Sequence, residues 1–366
     1  MLTGLAVVVW ALFGGIKRLP DRTTAPLLPD SALQRVADLD YPPGQVAVSK
    51  SGRVFLTFDP RGAPLMQLAE LVGGKPIPWP SAEFQKEEAG TAHFQSVSAL
   101  RINRQDRLWV LDRGHFVRGP RRLLAFDIES GRLVERYDLP PEVAGLLSSL
   151  SDLAVDPAGT KVYVADSSPI LQNPAIIVYD AARGSSRRLL ESQPSVQGDR
   201  YIIKAGGRDM VLFGVYVLRF GVSALALDGE GKWLYYGAVS GDRLYRVRTG
   251  DLNDESLSAE ALEDKVENYA PKTLGGALRV DPDGNVFLAD VEHSAILTSR
   301  RDRGLRTLVK GPALRWPSSV ALGPDGRLYV SCSALQDVLF RSEGFMRSRA
   351  PFQIFSFNPP PDRSSR

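Results

Sequence analysis

The sequence has few of the residues that build disulfide frameworks and metal centres. It contains one cysteine, Cys332, and three histidines, His93, His115 and His293, among 366 residues. A single cysteine excludes an intramolecular disulfide framework and any multi-cysteine metal site. Three histidines leave few ligands for a histidine-rich zinc centre, so we predict no metal-ligand set.

An excess of charge of one sign is also missing. The 45 basic and 42 acidic residues give a net charge of +3. This balance is not the footprint of a nucleic-acid-binding surface, and we expect no nucleic-acid partner. The motifs of P-loop phosphate binding, of zinc proteases with H-E-x-x-H and of hydrolases with G-x-S-x-G are absent from the sequence.

The apolar run at the N-terminus, residues 2–16, is shorter than the roughly 20 residues of a membrane span. It fits the apolar region of a signal peptide, but no basic residue precedes it and no small-residue cleavage site follows it. An uncleaved anchor, a signal peptide with a misassigned start and a buried segment all stay open. We expect an exported or membrane-anchored, extracytoplasmic protein of open orientation, with membrane contact only through residues 2–16. Residues 17–40 are predicted to be a tether.

A hairpin pattern recurs six times along the chain. In each copy a strand with alternating apolar residues meets a turn ending in Gly or a polar residue, and a strand with an aromatic residue follows. The aromatic positions are Phe55, Trp109, Tyr163, Tyr235, Phe287 and Tyr329. Further strand candidates, such as residues 122–128 and 175–179, complete four strands per repeat.

Six such repeats predict an all-β fold, a six-bladed β-propeller with four-stranded blades around a central channel. We place the propeller over residues 41–345, and residues 346–366 as a C-terminal extension that closes or leaves it. The widest spacing between copies predicts an insertion of about residues 183–220 over one face. No second domain is predicted.

The blade pattern also predicts where a ligand site lies. The hairpin turns share one face, while the starts of the inner strands and the ends of the second strands meet at the channel mouth on the opposite face. Four of the strand-end residues are aspartates, Asp59, Asp112, Asp166 and Asp290. They are either a carboxylate ring for a cation or amine, or caps that accept backbone N–H groups.

Candidate catalytic residues are Asp152, Asp290 and His293. Asp152 is the only carboxylate at the inner-strand starts, Asp290 lies near His293 in the sequence, and an imidazole exchanges protons near neutral pH. Surface exposure of His293 is the alternative explanation, as core packing is for Phe220. The candidate ligand-binding residues at the mouth are His93, Ser98, Asp112, Arg113, Asp166, Phe220, Ser223 and Ser319.

Several segments resemble the yellow and major royal jelly protein family. Residues 106–114, D-R-L-W-V-L-D-R-G, resemble the family signature D-R-L-W-V-L-D-x-G. Residues 220–223, F-G-V-S, are similar to its F-G-[MV]-S stretch, and residues 316–320, W-P-S-S-V, to its F-P-x-D-V element, with Ser319 replacing the acidic residue. The resemblance covers about residues 40–345. It implies a six-bladed propeller and usually an exported protein, and the single thiol suggests a bacterial-type member.

Four functions stay open, because the family resemblance implies no universal catalytic residue set. The favoured one is binding of a small aromatic or amine ligand in the central channel, without a cofactor. The alternatives are a dopachrome-type tautomerase or isomerase, a calcium-dependent gluconolactonase-like hydrolase and a non-catalytic interaction scaffold. The inner-strand positions are a poor oxygen cage for calcium. Whether the protein is an enzyme and which oligomeric state it adopts also stay open.

Overall fold

The computed structural model describes residues 17–86, 93–115, 119–212, 216–217, 219–300 and 302–361. The predicted signal or anchor segment, residues 1–16, lies outside the described residues. None of the helices within the described ranges is both long enough and apolar enough to cross a membrane.

The strands form six four-stranded antiparallel sheets, which confirms the six-bladed propeller. The first three blades are β2–β5 (Pro43–Val48, Val54–Phe58, Leu68–Val72, Lys75–Pro78), β6–β9 (Val97–Ile102, Arg107–Asp112, Arg121–Asp127, Leu133–Leu139) and β10–β13 (Leu150–Val155, Lys161–Asp166, Ala175–Asp180, Ser185–Leu189). The next two are β18–β21 (Val222–Leu227, Trp233–Ala238, Arg243–Arg248, Glu267–Pro271) and β22–β25 (Leu278–Val280, Val286–Asp290, Ala295–Ser299, Leu305–Lys310). Blade six combines β26–β28 (Pro317–Leu322, Leu328–Cys332, Phe352–Phe357) with β1 (Gln34–Leu39).

The six predicted hairpins are the first two strands of the six blades. Each turn contains one residue with positive φ, a conformation that glycine adopts without a steric penalty. Five of these residues are glycines, and Asp106 takes the same position in blade two with φ 57°. The predicted aromatic residues all lie in the second strands, where five of the six are buried.

The ring is closed by the strand β1, which pairs antiparallel with β28. The sequence predicts a tether over residues 17–40 and a propeller over residues 41–345, so both boundaries differ from the structure. The strand β1 escapes the pattern search because it is a half-exposed edge in which only Ala37 and Leu39 are buried. The strand β28 lies within residues 346–366, which the sequence predicts to be a C-terminal extension.

The hydrophobic cores lie between neighbouring blades. One buried cluster joins blades two and three through Trp109 and Leu153, and another joins blades three and four through Tyr163 and Leu225. Further clusters fill the other four interfaces, including the closing one, where Phe352 packs in the same cluster as Leu56. Each blade is therefore held by both of its neighbours.

The remaining elements are short. Four short strands follow blade three, namely β14 (Lys204–Ala205), β15 (Arg208–Asp209), β16 (Val211–Leu212) and β17 (Tyr216–Val217). The helices are α1 (Thr249–Asn253), α2 (Ala259–Glu263) and α3 (Glu343–Ser348), with 3₁₀ turns at Asp30–Ala32, Pro60–Gly62, Glu83–Gln85 and Leu335–Asp337. The insertion begins after β13 and therefore later than residue 183, where the sequence predicts its start. The sequence pattern does not reveal β13, because β13 is a polar outer strand without alternating apolar residues.

Candidate ligand-binding site

A β-bulge recurs at the start of the inner strands and turns serine hydroxyls toward the channel mouth. In blades two, three, four and six the ladder skips one residue, which leaves Ser98, Ser151, Ser223 and Ser318 unpaired. A bulge re-aims the side chain of its extra residue and is frequent beside functional sites. All four serines line one cavity.

This cavity, which we call the mouth cavity, lies on the face opposite the hairpin turns and has a volume of about 200 Å³. Every blade and the insertion contribute to its lining. Much of the wall is apolar and includes three aromatic side chains, Phe58, Phe220 and Trp316. Such a space suits a small ring-containing molecule.

The insertion after blade three forms part of the cavity wall through Ile203, Met210 and Val217. The first two pack in one cluster with Leu19 and Trp316. The N-terminal segment is joined to the insertion by a 2.9 Å hydrogen bond from the Ile202 N–H to the Lys17 carbonyl. The insertion and the N-terminal segment therefore cover the mouth together.

Three charged side chains line the mouth cavity, and they carry a net positive charge. Asp59 accepts a 2.7 Å hydrogen bond from Arg61 Nε. Burial opposes ionisation of Asp59, but the Arg61 charge and hydrogen bonds outweigh it and hold the pKa of this carboxyl below its ordinary value. Burial and the like charge of Arg61 lower the pKa of Arg113. Because an arginine remains protonated at neutral pH, Arg113 is the cation that the carboxylate does not neutralise.

The guanidinium of Arg113 retains donors for a ligand. Its Nε donates a 3.1 Å hydrogen bond to Ser96 Oγ, the one side-chain partner found for this guanidinium within the described ranges. Arg61 and Arg113 also line a neighbouring surface depression of about 820 Å³, together with Phe220 and Ser149. The charged wall is thus shared between the mouth cavity and this outer space.

Asp152 lies on the channel axis beneath the mouth cavity. Its carboxylate accepts hydrogen bonds from Gln45 Nε2 at 2.8 Å, from Arg101 Nη2 at 2.9 Å and from the Leu225 N–H at 2.8 Å. Burial raises the pKa of this carboxyl, against the opposing charge of Arg101. We call Gln45, Arg101 and Asp152 the axial network. Together with the Leu225 N–H it joins four blades and closes the channel below the mouth cavity, so Asp152 does not line that cavity.

The strand-end aspartates cap backbone N–H groups. This is one of the two roles that the sequence leaves open for them, the other being a carboxylate ring for a cation or amine. Asp112 accepts from the Ser96 N–H at 2.8 Å and pairs with Arg122. Asp166 accepts from the Ser149 N–H at 2.8 Å and from Arg188 Nη1 at 2.7 Å. Both carboxylates are fully buried away from the mouth cavity.

Asp290 and His293 form a pair outside the mouth cavity. His293 Nδ1 lies 2.9 Å from Asp290 Oδ2, and Asp290 Oδ1 accepts the His293 N–H. His293 Nε2 lies 3.6 Å from Asp21 Oδ2 of the N-terminal segment, and Lys310 Nζ lies 3.8 Å from the same oxygen. The predicted catalytic residues are therefore divided between the axis and this peripheral pair.

The remaining predicted residues divide in the same way. Ser98, Arg113, Phe220 and Ser223 line the mouth cavity, whereas His93 and Ser319 do not. The His93 carbonyl accepts a 2.6 Å hydrogen bond from Arg122, and Ser319 Oγ accepts one from the Val46 N–H. The sequence predicts Ser319 as the cavity-lining serine of blade six, but the residue that lines the cavity is its neighbour Ser318, which the bulge leaves unpaired.

Arg61 and the insertion residues of the cavity wall are not predicted by the sequence pattern. Arg61 follows Asp59 in a loop whose 3₁₀ turn the strand pattern does not predict. Ser318 had a signal in the sequence, since the pair Pro317-Ser318 takes the place of Val97-Ser98 in blade two. Ile203, Met210 and Val217 had none, because no periodicity connects them to the blades.

A profile of the family described as Major royal jelly protein matches residues 95–340. The chain belongs to this family. Major royal jelly protein 1 of Apis mellifera is 28% identical over 255 residues, which are 64% of this chain and 53% of that protein. The chain thus spans about half the length of the curated relatives it matches. The family match confirms the resemblance drawn from residues 106–114.

Solved structures of other proteins share the architecture of this family member. A gluconolactonase from Xanthomonas campestris is 14% identical with a TM-score of 0.56, over 90% of this chain and 89% of that one. Regucalcin, a calcium-binding protein from Agrobacterium tumefaciens, is also 14% identical with a TM-score of 0.56, over 92% of this chain and 96% of that one. At this identity the likeness shows the fold alone.

Proposed function

We propose that the protein binds a small aromatic compound carrying a carboxylate or another anionic oxygen group, and that the ligand occupies the mouth cavity. The observation that carries the proposal is the guanidinium of Arg113 in a cavity with largely apolar walls. A guanidinium presents a planar fork of donors that matches a carboxylate. Phe58, Phe220 and Trp316 offer faces and edges for the ring.

The charge of the wall favours an anionic ligand over an amine. Asp59, the carboxylate that lines the cavity within the described ranges, is already bonded to Arg61. An ammonium group in the cavity would lie near two cations, Arg61 and Arg113. The carboxylate there, Asp59, is already paired with Arg61. We therefore retain the aromatic part of the sequence-based expectation and replace the amine by an anionic group.

The residues of the mouth do not fit a calcium site. Calcium takes six to eight oxygen ligands, often with several carboxylates. Within the described ranges the side chains of the mouth cavity offer one carboxylate, Asp59, together with hydroxyls and the Gln45 amide oxygen, which already accepts from Arg101. The two guanidinium groups beside Asp59 oppose a divalent cation. The gluconolactonase-like alternative has no support in this donor set.

No observation favours the isomerase or the scaffold over a binding function. A tautomerase needs an acid or base within hydrogen-bond reach of its substrate. Asp152 is bonded within the axial network, and Asp290 and His293 lie outside the mouth cavity. A scaffold would not require the ring of bulged serines that faces the cavity.

The experiment is a calorimetric titration of the protein with two matched catechols. Dihydrocaffeate and dopamine share the ring and the two-carbon linker, but one ends in a carboxylate and the other in an ammonium group. We expect dihydrocaffeate to bind at least about tenfold more tightly than dopamine. Quenching of Trp316 fluorescence, absent in a Trp316→Phe variant, would report binding in the cavity.

An Arg113→Gln variant tests the carboxylate contact, and an Arg136→Gln variant is its control. Arg136 is an exposed arginine that pairs with Asp138. We expect Arg113→Gln to abolish the preference for dihydrocaffeate and Arg136→Gln to keep it. Tighter binding of dopamine by the unmodified protein, or an unchanged preference in Arg113→Gln, would overturn the proposal.

We also propose that the propeller lies outside the cytoplasm, as the family resemblance and the apolar residues 2–16 suggest. An alkaline phosphatase fused to the C-terminus is active only after export. We expect an active fusion in a bacterial host. A fluorescent cytoplasmic fusion together with an inactive phosphatase would contradict this location.

A further inference from the structure

A second cavity opens on the turn face, at the other end of the channel axis. Its volume is about 240 Å³, and its lining comes from the inner strands and hairpin turns of blades two to five with one residue of blade six. Arg101 belongs both to this lining and to the axial network. We call this space the far cavity. It is independent of the ligand site proposed above.

Two arginines from opposite blades meet in the far cavity. In every blade one residue of the inner strand lies opposite the aromatic residue that marks the second strand of the predicted hairpin. At this register four blades carry alanine, at Ala47, Ala154, Ala226 and Ala321, and two carry arginine, at Arg101 and Arg279. The arginines lie in blades two and five, which face each other across a six-membered ring. The small side chains of Ala154 and Ala226 line the space near them.

The two arginines differ in their partners. Arg101 donates to both carboxylate oxygens of Asp152 and to Gln45 Oε1. Arg279 has no hydrogen bond or ion pair to any residue that the structure describes, and its Nε is buried without an acceptor. A buried donor without a partner destabilises the folded state, and more so when the group is charged.

The other charges around the far cavity do not neutralise Arg279. Asp152 is shared by Arg101 and two backbone N–H groups, so one carboxylate faces two guanidinium groups on the axis. Asp156 and Asp228 line the rim, but their carboxylates cap the backbone of their own turns. Arg104 donates to the Gly229 carbonyl. Burial and the like charge of Arg101 lower the pKa of Arg279 to about 10, which leaves it cationic at neutral pH.

We propose that the far cavity binds a small oxyanion, with Arg279 as its principal ligand and Arg101 and Arg104 beside it. A guanidinium matches the oxygens of a phosphate or a carboxylate through paired N–H donors. The anion supplies the acceptor that Arg279 lacks and separates the two facing cations. The chemistry is shared by inorganic oxyanions and by small carboxylates, which the titration distinguishes.

The test is a calorimetric titration of the full chain with phosphate, sulfate and acetate, each at constant ionic strength. We expect one saturable site for at least one of these anions and a matching rise in the unfolding temperature. Binding of phosphate or sulfate without acetate would assign a tetrahedral oxyanion, and the reverse would assign a carboxylate. Absence of saturable binding for all three anions would overturn the proposal.

Three variants locate the site. Arg279→Met removes the guanidinium at similar length, Arg279→Lys keeps the charge without the fork, and Arg136→Met is the control at an exposed arginine outside both cavities. We expect affinity to fall at least about tenfold in Arg279→Met, less in Arg279→Lys, and not in Arg136→Met. Arg279→Met is expected to unfold at the same or a higher temperature without the anion, because an unpaired buried charge is gone. Equal affinity of Arg279→Met and the unmodified protein would contradict the assignment.

Discussion

At the scale of single residues, the same amino acid has different roles according to its place in the blade. An aspartate at the end of a second strand is a buried cap, as at Asp112, whereas an aspartate on an inner strand joins blades across the axis, as at Asp152. The sequence alone does not separate the cap from a ligand-binding carboxylate, because both require an aspartate at the rim.

Replacing a strand-end aspartate should therefore cost stability rather than ligand affinity. Asp112→Asn leaves Arg122 buried without its charge partner and turns an amide donor toward backbone N–H groups. We expect a loss of about 3 kcal/mol in the free energy of unfolding, measured by denaturant titration. The exposed partner of Arg136, Asp138, provides the control Asp138→Asn, for which the loss should stay within about 0.5 kcal/mol. Equal losses of stability in both variants would contradict the role of Asp112 as a buried structural cap.

Lys272 makes the stability depend on pH. Its ammonium is buried beneath the N-terminal segment, and its Nζ donates to the Ala238 and Gly241 carbonyls at 2.8 Å. Burial lowers the pKa of Lys272 from 10.5 to about 7. Above pH 7 the unfolded chain holds this proton and the folded chain does not, so stability rises with pH until the unfolded lysine also titrates. Below pH 7 both states are protonated and the cost of burying the charge is fully present.

We expect the free energy of unfolding to rise between pH 7 and pH 9, relative to Lys272→Met, by up to about 1.4 kcal/mol per pH unit. Denaturant titrations of the two proteins at several pH values measure the difference. The window ends at pH 9 because the lysine of the unfolded chain begins to lose its proton as the pH approaches its ordinary pKa of 10.5, and the slope then levels off. The exposed Lys232→Met is the control, and parallel curves for the protein and Lys272→Met would exclude the buried lysine as the cause.

At the scale of elements, the inner hairpins were predictable and the edges were not. Alternating apolar residues and a turn with a glycine, as at Gly284, mark a hairpin in the sequence. The outer strands β1 and β13 lack that pattern because most of their residues are exposed or only partly buried, so few apolar positions recur. The bulges are invisible to a period-two search, since one extra residue shifts the alternation, and this displaced the prediction from Ser318 to Ser319.

The closing strand β1 should be essential to the fold although its sequence is inconspicuous. A chain starting at Leu33 keeps β1, and a chain starting at Tyr41 leaves β28 with an open edge and exposes the cluster around Phe352. We expect the shorter chain to lose about 5 kcal/mol or more of stability and to associate through the open edge. Denaturant titration and size-exclusion chromatography compare the two, and similar behaviour of both chains would show that the ring closes without β1.

At the scale of the whole molecule, the ring divides its axis into two unlike spaces. The axial network of Gln45, Arg101 and Asp152 separates the mouth cavity, with apolar walls and bulged serines, from the far cavity with its facing arginines. Fold, family and the location of the mouth were within reach of the sequence. The separation of the channel into two cavities could not be predicted from the sequence, because it depends on contacts between residues of four blades.

The central claim, that the mouth cavity is the ligand site, is tested most directly by filling it. Ser98→Leu places an apolar side chain into the floor of a cavity of about 200 Å³ while leaving Arg113 in place. The exposed Ser256→Leu is the control. In a calorimetric titration with dihydrocaffeate, we expect Ser98→Leu to weaken binding at least about tenfold and Ser256→Leu to leave it unchanged. Undiminished affinity in a folded Ser98→Leu protein would place the ligand elsewhere and contradict the account.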